Sequence, residues 1–82
     1  MSKHGIGYTV SLLKRKRMVT RLGWNGKGMF LMYDTGCRMY YDYNGQQGNL
    51  LPHIVIRTVS GDCIPWLCSQ ADLLADDWQE VR

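Results

Sequence analysis

No apolar run in this chain approaches the roughly 20 residues that a membrane-spanning helix needs, and neither a signal peptide nor a lipidation motif is present. A cytoplasmic protein without membrane contact is expected. Cysteine is scarce: Cys37, Cys63 and Cys68 cannot all pair within one chain, and none stands at C-x-x-C spacing. Neither histidine, His4 or His53, has a partner at metal-ligand spacing. These absences exclude a disulfide scaffold, leave no metal site to assign, and fit a reducing cytoplasm in which the thiols serve as small apolar fillers. Acids are few and scattered: Asp34, Asp42, Asp62, Asp72, Asp76, Asp77 and Glu80. The adjacent Asp76 and Asp77 would point to opposite faces of a strand, which is poor geometry for shared acid–base work. No catalytic residue and no cofactor is assigned, and an enzyme is not expected.

What the sequence does have is apolar and aromatic bulk. Of its 82 residues 45% are hydrophobic, with three Trp, five Tyr and five Met. A chain this short forms one domain, residues 1–82, and hides only about 60–65% of the surface its unfolded form exposes. So much aromatic surface exceeds what a thin core absorbs, and part of it is expected to face another subunit or a ligand. The formal net charge is a mild +3, yet four cations are consecutive: Lys14, Arg15, Lys16 and Arg17. They suit the negative end of a helix dipole, or alternatively they attract a polyanion.

Ile6, Val10 and Leu13 recur at helical spacing and Tyr8 pairs with Leu12 at i+4, predicting an amphipathic helix from residue 6 to about residue 15. Gly7, Thr9 and Val10 lower its propensity. A strand is predicted over 17–22, an Asn25-Gly26 hairpin turn after it, and a central strand over 29–33 with apolar residues on both faces. Residues 34–52 read as an irregular Gly-, Asn- and Tyr-rich loop with a short strand around 38–43. A strand over 53–59, a turn at Ser60-Gly61-Asp62 and a returning segment 63–67 follow, with Pro65 requiring an edge or a bulge. Ser69 and Asp72 form a capping-box-like pattern. Ala71, Leu74, Ala75 and Trp78 then share one helical face; the helix is ended near Asp76 and 77–82 read as a last strand. The fold class is α+β: an N-terminal helix packed on a twisted antiparallel sheet, with a second short helix near the C-terminus.

Gly23-Trp24-Asn25-Gly26-Lys27-Gly28 is the segment richest in binding chemistry. It lacks the spacing of a phosphate loop, but its glycines leave backbone amides open to an anion, Lys27 adds a point charge, and Trp24 offers a face on which a base can stack for about 1–3 kcal/mol. The alternative is that Trp24 caps the core and the glycines only shape the turn.

That segment through Met29-Phe30, then Leu51-Pro52-His53-Ile54, then Ile64-Pro65-Trp66-Leu67-Cys68-Ser69-Gln70-Ala71-Asp72-Leu73-Leu74-Ala75-Asp76-Asp77-Trp78, resembles the successive signatures of one small phage and prophage family. This is the second type of Thoeris anti-defence protein, and the resemblance runs from about Tyr8 to Val81. It implies a homotetramer that sequesters cyclic ADP-ribose isomers, and in some members cyclic oligonucleotides, in pockets between subunits. The signal of a bacterial TIR-domain protein is held intact in the infected host cell, and the effector is not triggered. Carried over by position, Trp24 stacks on the ligand, Asn25 and Lys27 form the turn beside it, with Lys27 added on charge grounds, and Gln70, Asp72 and Asp77 offer polar contacts. Members commonly carry a glycine where this chain has Lys16 and a basic residue where it has Met18, so the mode of helix termination here is open. The leading reading is a nucleotide sponge without catalytic residues, metal or cofactor. The alternatives are a small basic nucleic-acid-binding accessory protein and, on the scattered acids and histidines alone, an enzyme that hydrolyses the signal.

Overall fold

The predicted first helix is present as α1, Ile6–Lys14, and its weakest feature is resolved by a side chain. Thr9, β-branched and polar, is buried, and its Oγ1 donates back to the Gly5 carbonyl at 3.2 Å. The computed structural model describes residues 4–24, 28–36 and 38–81. Beyond α1, Lys16 takes the left-handed conformation (φ 63°). The Lys16 amide donates to the Leu13 carbonyl at 2.9 Å and the Arg17 amide to the Leu12 carbonyl at 3.0 Å, a Schellman closure that usually uses glycine. Lysine therefore ends this helix in the same way, at the expense of a strained backbone.

Among the described residues seven strands follow: β1 Met18–Arg21, β2 Phe30–Asp34, β3 Arg38–Tyr41, β4 Gln47–Leu50, β5 His53–Arg57, β6 Cys63–Pro65 and, after the helix α2 (Gln70–Leu74), β7 Trp78–Val81. Five of them form one antiparallel sheet in the order β6-β5-β2-β1-β7. β2 is central, as its two apolar faces require, and Pro65 lies on the edge strand β6, where its missing N–H costs no ladder bond. Val19 faces Leu31 across β1 and β2, and both are fully buried beneath α1 with Leu12, Leu13 and Trp78. That small cluster is the core.

Three expectations are corrected. Trp78 does not continue a helical face with Ala71, Leu74 and Ala75. Ala75 is already extended (ψ 153°), and Trp78 opens β7 as the largest fully buried side chain, whereas Leu74 is exposed and α2 buries nothing. The backbone turns because the Asp72 carbonyl accepts from both the Ala75 amide (3.3 Å) and the Trp78 indole (3.2 Å). Second, residues 38–50 are a hairpin rather than a loop. Asp42 Oδ1 accepts from the Asn44 and Gln46 amides at 2.8 Å each, the Gly45 amide donates to the Asp42 carbonyl at 3.0 Å, and Gly45 takes φ 80°, so Tyr43-Asn44 with a left-handed Gly45 makes the turn that joins β3 to β4. Third, Cys63 and Cys68 are exposed, not fillers of the core; Cys37 lies outside the described residues.

Candidate functional site

Alternation along β1 puts Val19 and Arg21 on the same face of the sheet. Val19 is buried under α1, whereas Arg21, beside Trp78 of β7, reaches past the helix to the margin of the core. An arginine there needs acceptors. Its Nε donates to Asp77 Oδ1 and its Nη1 to Asp72 Oδ1, each at 2.8 Å, and both pairs are largely shielded from solvent. Asp77 Oδ2 also accepts the Gly23 amide at 2.8 Å, and Asp72 Oδ1 accepts the Trp24 indole N–H at 3.1 Å. One guanidinium thereby ties the end of β1, the turn carrying Trp24, α2 and the start of β7 into a single unit.

The electrostatics follow. Hydrogen bonds to Asp77 and then Asp72 raise the Arg21 pKa above its ordinary value. The Arg21 guanidinium, seconded by the Gly23 amide, holds the Asp77 carboxyl below the usual carboxylate range. Close packing also explains Gly23: a Cβ there would lie 3.0 Å from Asp77 Oδ2 and 3.2 Å from Arg21 Nη2.

Above this network lies a cleft of ≈ 320 Å³, lined by Trp24, Met29, Ile56, Ile64, Trp66 and Asp72 among others. Trp24 and Trp66 both stand nearly perpendicular to the buried Trp78, with centroids 5.3 Å and 5.9 Å from it. The ring of Trp24 is therefore fixed on one side by an aromatic edge contact and at its nitrogen by a carboxylate, while its remaining surface belongs to the cleft. Such a wall suits a flat heteroaromatic ring. Trp24 also packs against the core cluster, so the capping role and the stacking role coincide in one side chain.

Of the residues singled out in the sequence, Trp24 and Asp72 come together in the cleft. Asp77 sits behind it, holding Arg21 and Gly23, and Gln70 is exposed on the first turn of α2. Asn25 and Lys27 lie outside the described residues. Sequence reasoning missed Arg21, Trp66 and Trp78. Arg21 had a signal: a charged residue two positions after the core-facing Val19 must find a counter-charge. Among the described residues, no three of His, Cys, Asp and Glu gather to hold a metal, and no helix is long and apolar enough to cross a membrane.

A family model described as the Thoeris anti-defense 2-like domain matches residues 5–81. The protein "Thoeris anti-defense 2" of Bacillus phage SP01 is 33% identical over 86 aligned residues, spanning 98% of this chain and 97% of that protein.

Proposed function

The chain belongs to the Thoeris anti-defense 2-like family, and from that premise we propose that it captures a cyclic nucleotide immune signal inside an infected bacterium and holds it uncleaved. The observation that carries the reading is the aromatic cleft, with Trp24 fixed in place by Asp72 and Trp78 and faced by Trp66 and aliphatic side chains. A purine stacks on Trp24. Asn25 and Lys27, which follow Trp24 in the sequence and lie outside the described residues, are its partners for the ribose and phosphate by family resemblance and charge, and Gln70 and Asp72 supply polar contacts from α2. Asp77 acts through Arg21 and Gly23, as a positioning residue.

Sequestration rather than cleavage is favoured by the state of the acids. Asp72 and Asp77 are both engaged with Arg21, and Asp77 is held below the usual carboxylate range, so Asp77 is not poised to give up or take a proton near neutral pH. A sponge needs tight binding, about 12 kcal/mol for a nanomolar complex, of which one stacked ring supplies about 1–3. At ≈ 320 Å³ the cleft lies at the small end of ligand pockets, roughly 300–1,000 Å³. Both facts favour pockets completed by a neighbouring subunit, in a homotetramer that takes cyclic ADP-ribose isomers and, in a larger pocket, cyclic oligonucleotides. Capture of the TIR-derived signal leaves the Thoeris effector untriggered.

The test is to deplete a cyclic ADP-ribose isomer with the protein, denature by heat and analyse the supernatant. Return of the intact nucleotide is expected; cleaved products would make the protein an enzyme. The nucleic-acid reading draws on the exposed Lys14, Arg15 and Lys16. It predicts capture of DNA or RNA that collapses steeply with salt, where enclosure of a small cyclic nucleotide does not.

A further inference from the structure

Asp72 is held at almost every polar atom it has. Its amide donates to Ser69 Oγ at 3.1 Å, and its carbonyl accepts from the Ala75 amide at 3.3 Å and the Trp78 indole at 3.2 Å. Oδ1 accepts from Arg21 Nη1 at 2.8 Å and from Trp24 Nε1 at 3.1 Å. A carboxylate oxygen has two lone pairs, so Oδ1 is filled. Oδ2 is the exception. No described residue donates to it, and it is not shut away, because among the described residues no buried side-chain oxygen lacks a partner. The side chain is 13% exposed and lines the aromatic cleft. Turning the carboxyl group would break both bonds at Oδ1. One fixed acceptor is therefore left open beside the cleft.

The position of this acceptor limits what it can meet. An indole N–H lies in the plane of its ring, so the carboxyl group that takes it stands at the edge of Trp24 and not over its face. A base laid on that face turns an edge toward Asp72. Oδ2 accepts and does not donate, so the edge must carry an N–H; a ring nitrogen or a carbonyl oxygen is refused. With Oδ1 filled, one donor is the whole demand. Guanine offers two side by side, N1–H and the 2-amino group, which suit both oxygens of a free carboxylate, whereas adenine offers a single amino group. The other described residues of the cleft are apolar or aromatic, and no Lys or Arg is among them. Arg21, behind Asp72, is already shared between two carboxyl groups. A phosphate would find like charge at this end and no cation to offset it. The uncharged base is the part of a nucleotide that fits here.

We infer that Asp72 Oδ2 is the specificity-determining acceptor of the cleft, taking the 6-amino group of an adenine stacked on Trp24, and that Arg21 narrows it to that one donor by occupying Oδ1. The inference deepens the proposed function and rests on its premise that a purine stacks on Trp24. Arg21 touches no ligand atom. It is a positioning residue, whose forked guanidinium holds Asp72 and Asp77 at once, as a lysine's single ammonium does not. An acceptor fixed before the ligand arrives loses little entropy on binding. Selection comes from mispairing: an oxygen at position 6 sets two acceptors against each other, and each is left without a donor.

Calorimetry of the full chain with two probes tests it: a cyclic ADP-ribose isomer and its deaminated counterpart, in which oxygen replaces the 6-amino group. The wild type is expected to bind the amino form more tightly by on the order of tenfold or more. Asp72→Asn keeps a carbonyl oxygen for Arg21 and Trp24 and puts an amide donor in the place of Oδ2, so the preference is expected to reverse toward the 6-oxo form. Arg21→Lys is expected to narrow the preference, whereas a merely structural loss weakens both probes alike and leaves their ratio unmoved. Circular dichroism verifies the fold of each variant. A wild type that binds both probes equally overturns the inference and leaves sequestration standing, and that comparison needs no substitution. If a folded Asp72→Asn keeps the wild-type ratio, the base is read elsewhere and the inference falls. A wild type that binds neither probe overturns the proposed function and this inference with it.

Discussion

Replacing Trp24 by alanine removes three interactions of different kinds, and their magnitudes separate binding from folding. The ring face in the cleft is worth about 1–3 kcal/mol against a base, so the dissociation constant should rise about 5- to 140-fold at 1.4 kcal/mol per tenfold. The indole N–H on the Asp72 carboxylate oxygen (3.1 Å) and the edge contact with Trp78 (5.3 Å) belong to the fold. Bonds to charged acceptors contribute about 1.5–3 kcal/mol and aromatic pairs about 0.5–1.5. Solvent at the half-buried ring lowers both, and a net loss near 2 kcal/mol is expected, a fall in Tm of roughly 10 °C for a domain of this size. Trp24→Phe keeps a smaller stacking face and loses the N–H bond to Asp72, so it should forfeit stability while retaining part of the affinity. Isothermal calorimetry with a cyclic ADP-ribose isomer, on variants whose circular dichroism and native mass match the wild type, measures the first quantity, and thermal melts the second. A folded, assembled Trp24→Ala that binds within about twofold of the wild type would refute the stacking role.

Lys16→Gly should stabilise the protein by about 0.5–1 kcal/mol by relieving the left-handed lysine at the end of α1; melts at one fixed protein concentration should rise by several degrees, and a fall would mean that the lysine side chain contributes more than its backbone costs. Because Asp77 has a folded pKa below its unfolded value near 3.9, its stabilisation is complete above that pH and is lost as pH falls through the lower, folded value. Asp77→Asn should therefore lower stability at neutral pH and flatten the decline of Tm between neutral and strongly acidic solution. Gly23→Ala places a methyl group against Arg21 and Asp77 and should cost about 1–3 kcal/mol by overpacking, visible as a lower urea midpoint with an unchanged slope.

The elements legible in the sequence are those whose signals are local. Helical spacing around Ile6–Leu13, Ser69 as N-cap of α2 and Pro65 at an edge all point to positions a few residues away. Their realised forms match, down to the Asp72 amide donating to Ser69 Oγ at 3.1 Å. The turn from Asp42 to Gly45 was equally local but was hidden by the surrounding Gly and Tyr residues, since Gly48 and Asn49 give β4 little strand propensity of its own. Trp78 fits both a helical period and the start of a strand; the choice was made by Arg21 and the core residues Leu12, Leu13, Val19 and Leu31, all far away in sequence. The site shows the same division. Trp24 announces itself beside its glycines, whereas the ion pairs from Arg21 to Asp72 and Asp77 span 51 and 56 residues and follow no local spacing. Only the inward parity of Arg21 with Val19 hinted at them.

The centre of the hydrophobic cluster is delivered by β7, which pairs with β1 from the opposite part of the sequence. While a ribosome is still making the chain, Leu13, Val19 and Leu31 have been synthesised but lack the indole that fills the space between them. Strand pairings this remote fold on the slower side for a small domain. A product cut short before Asp77 would forfeit its core, its Arg21 acceptor at Asp77 and the support of both cleft indoles in a single event, leaving a sticky fragment rather than a weaker copy.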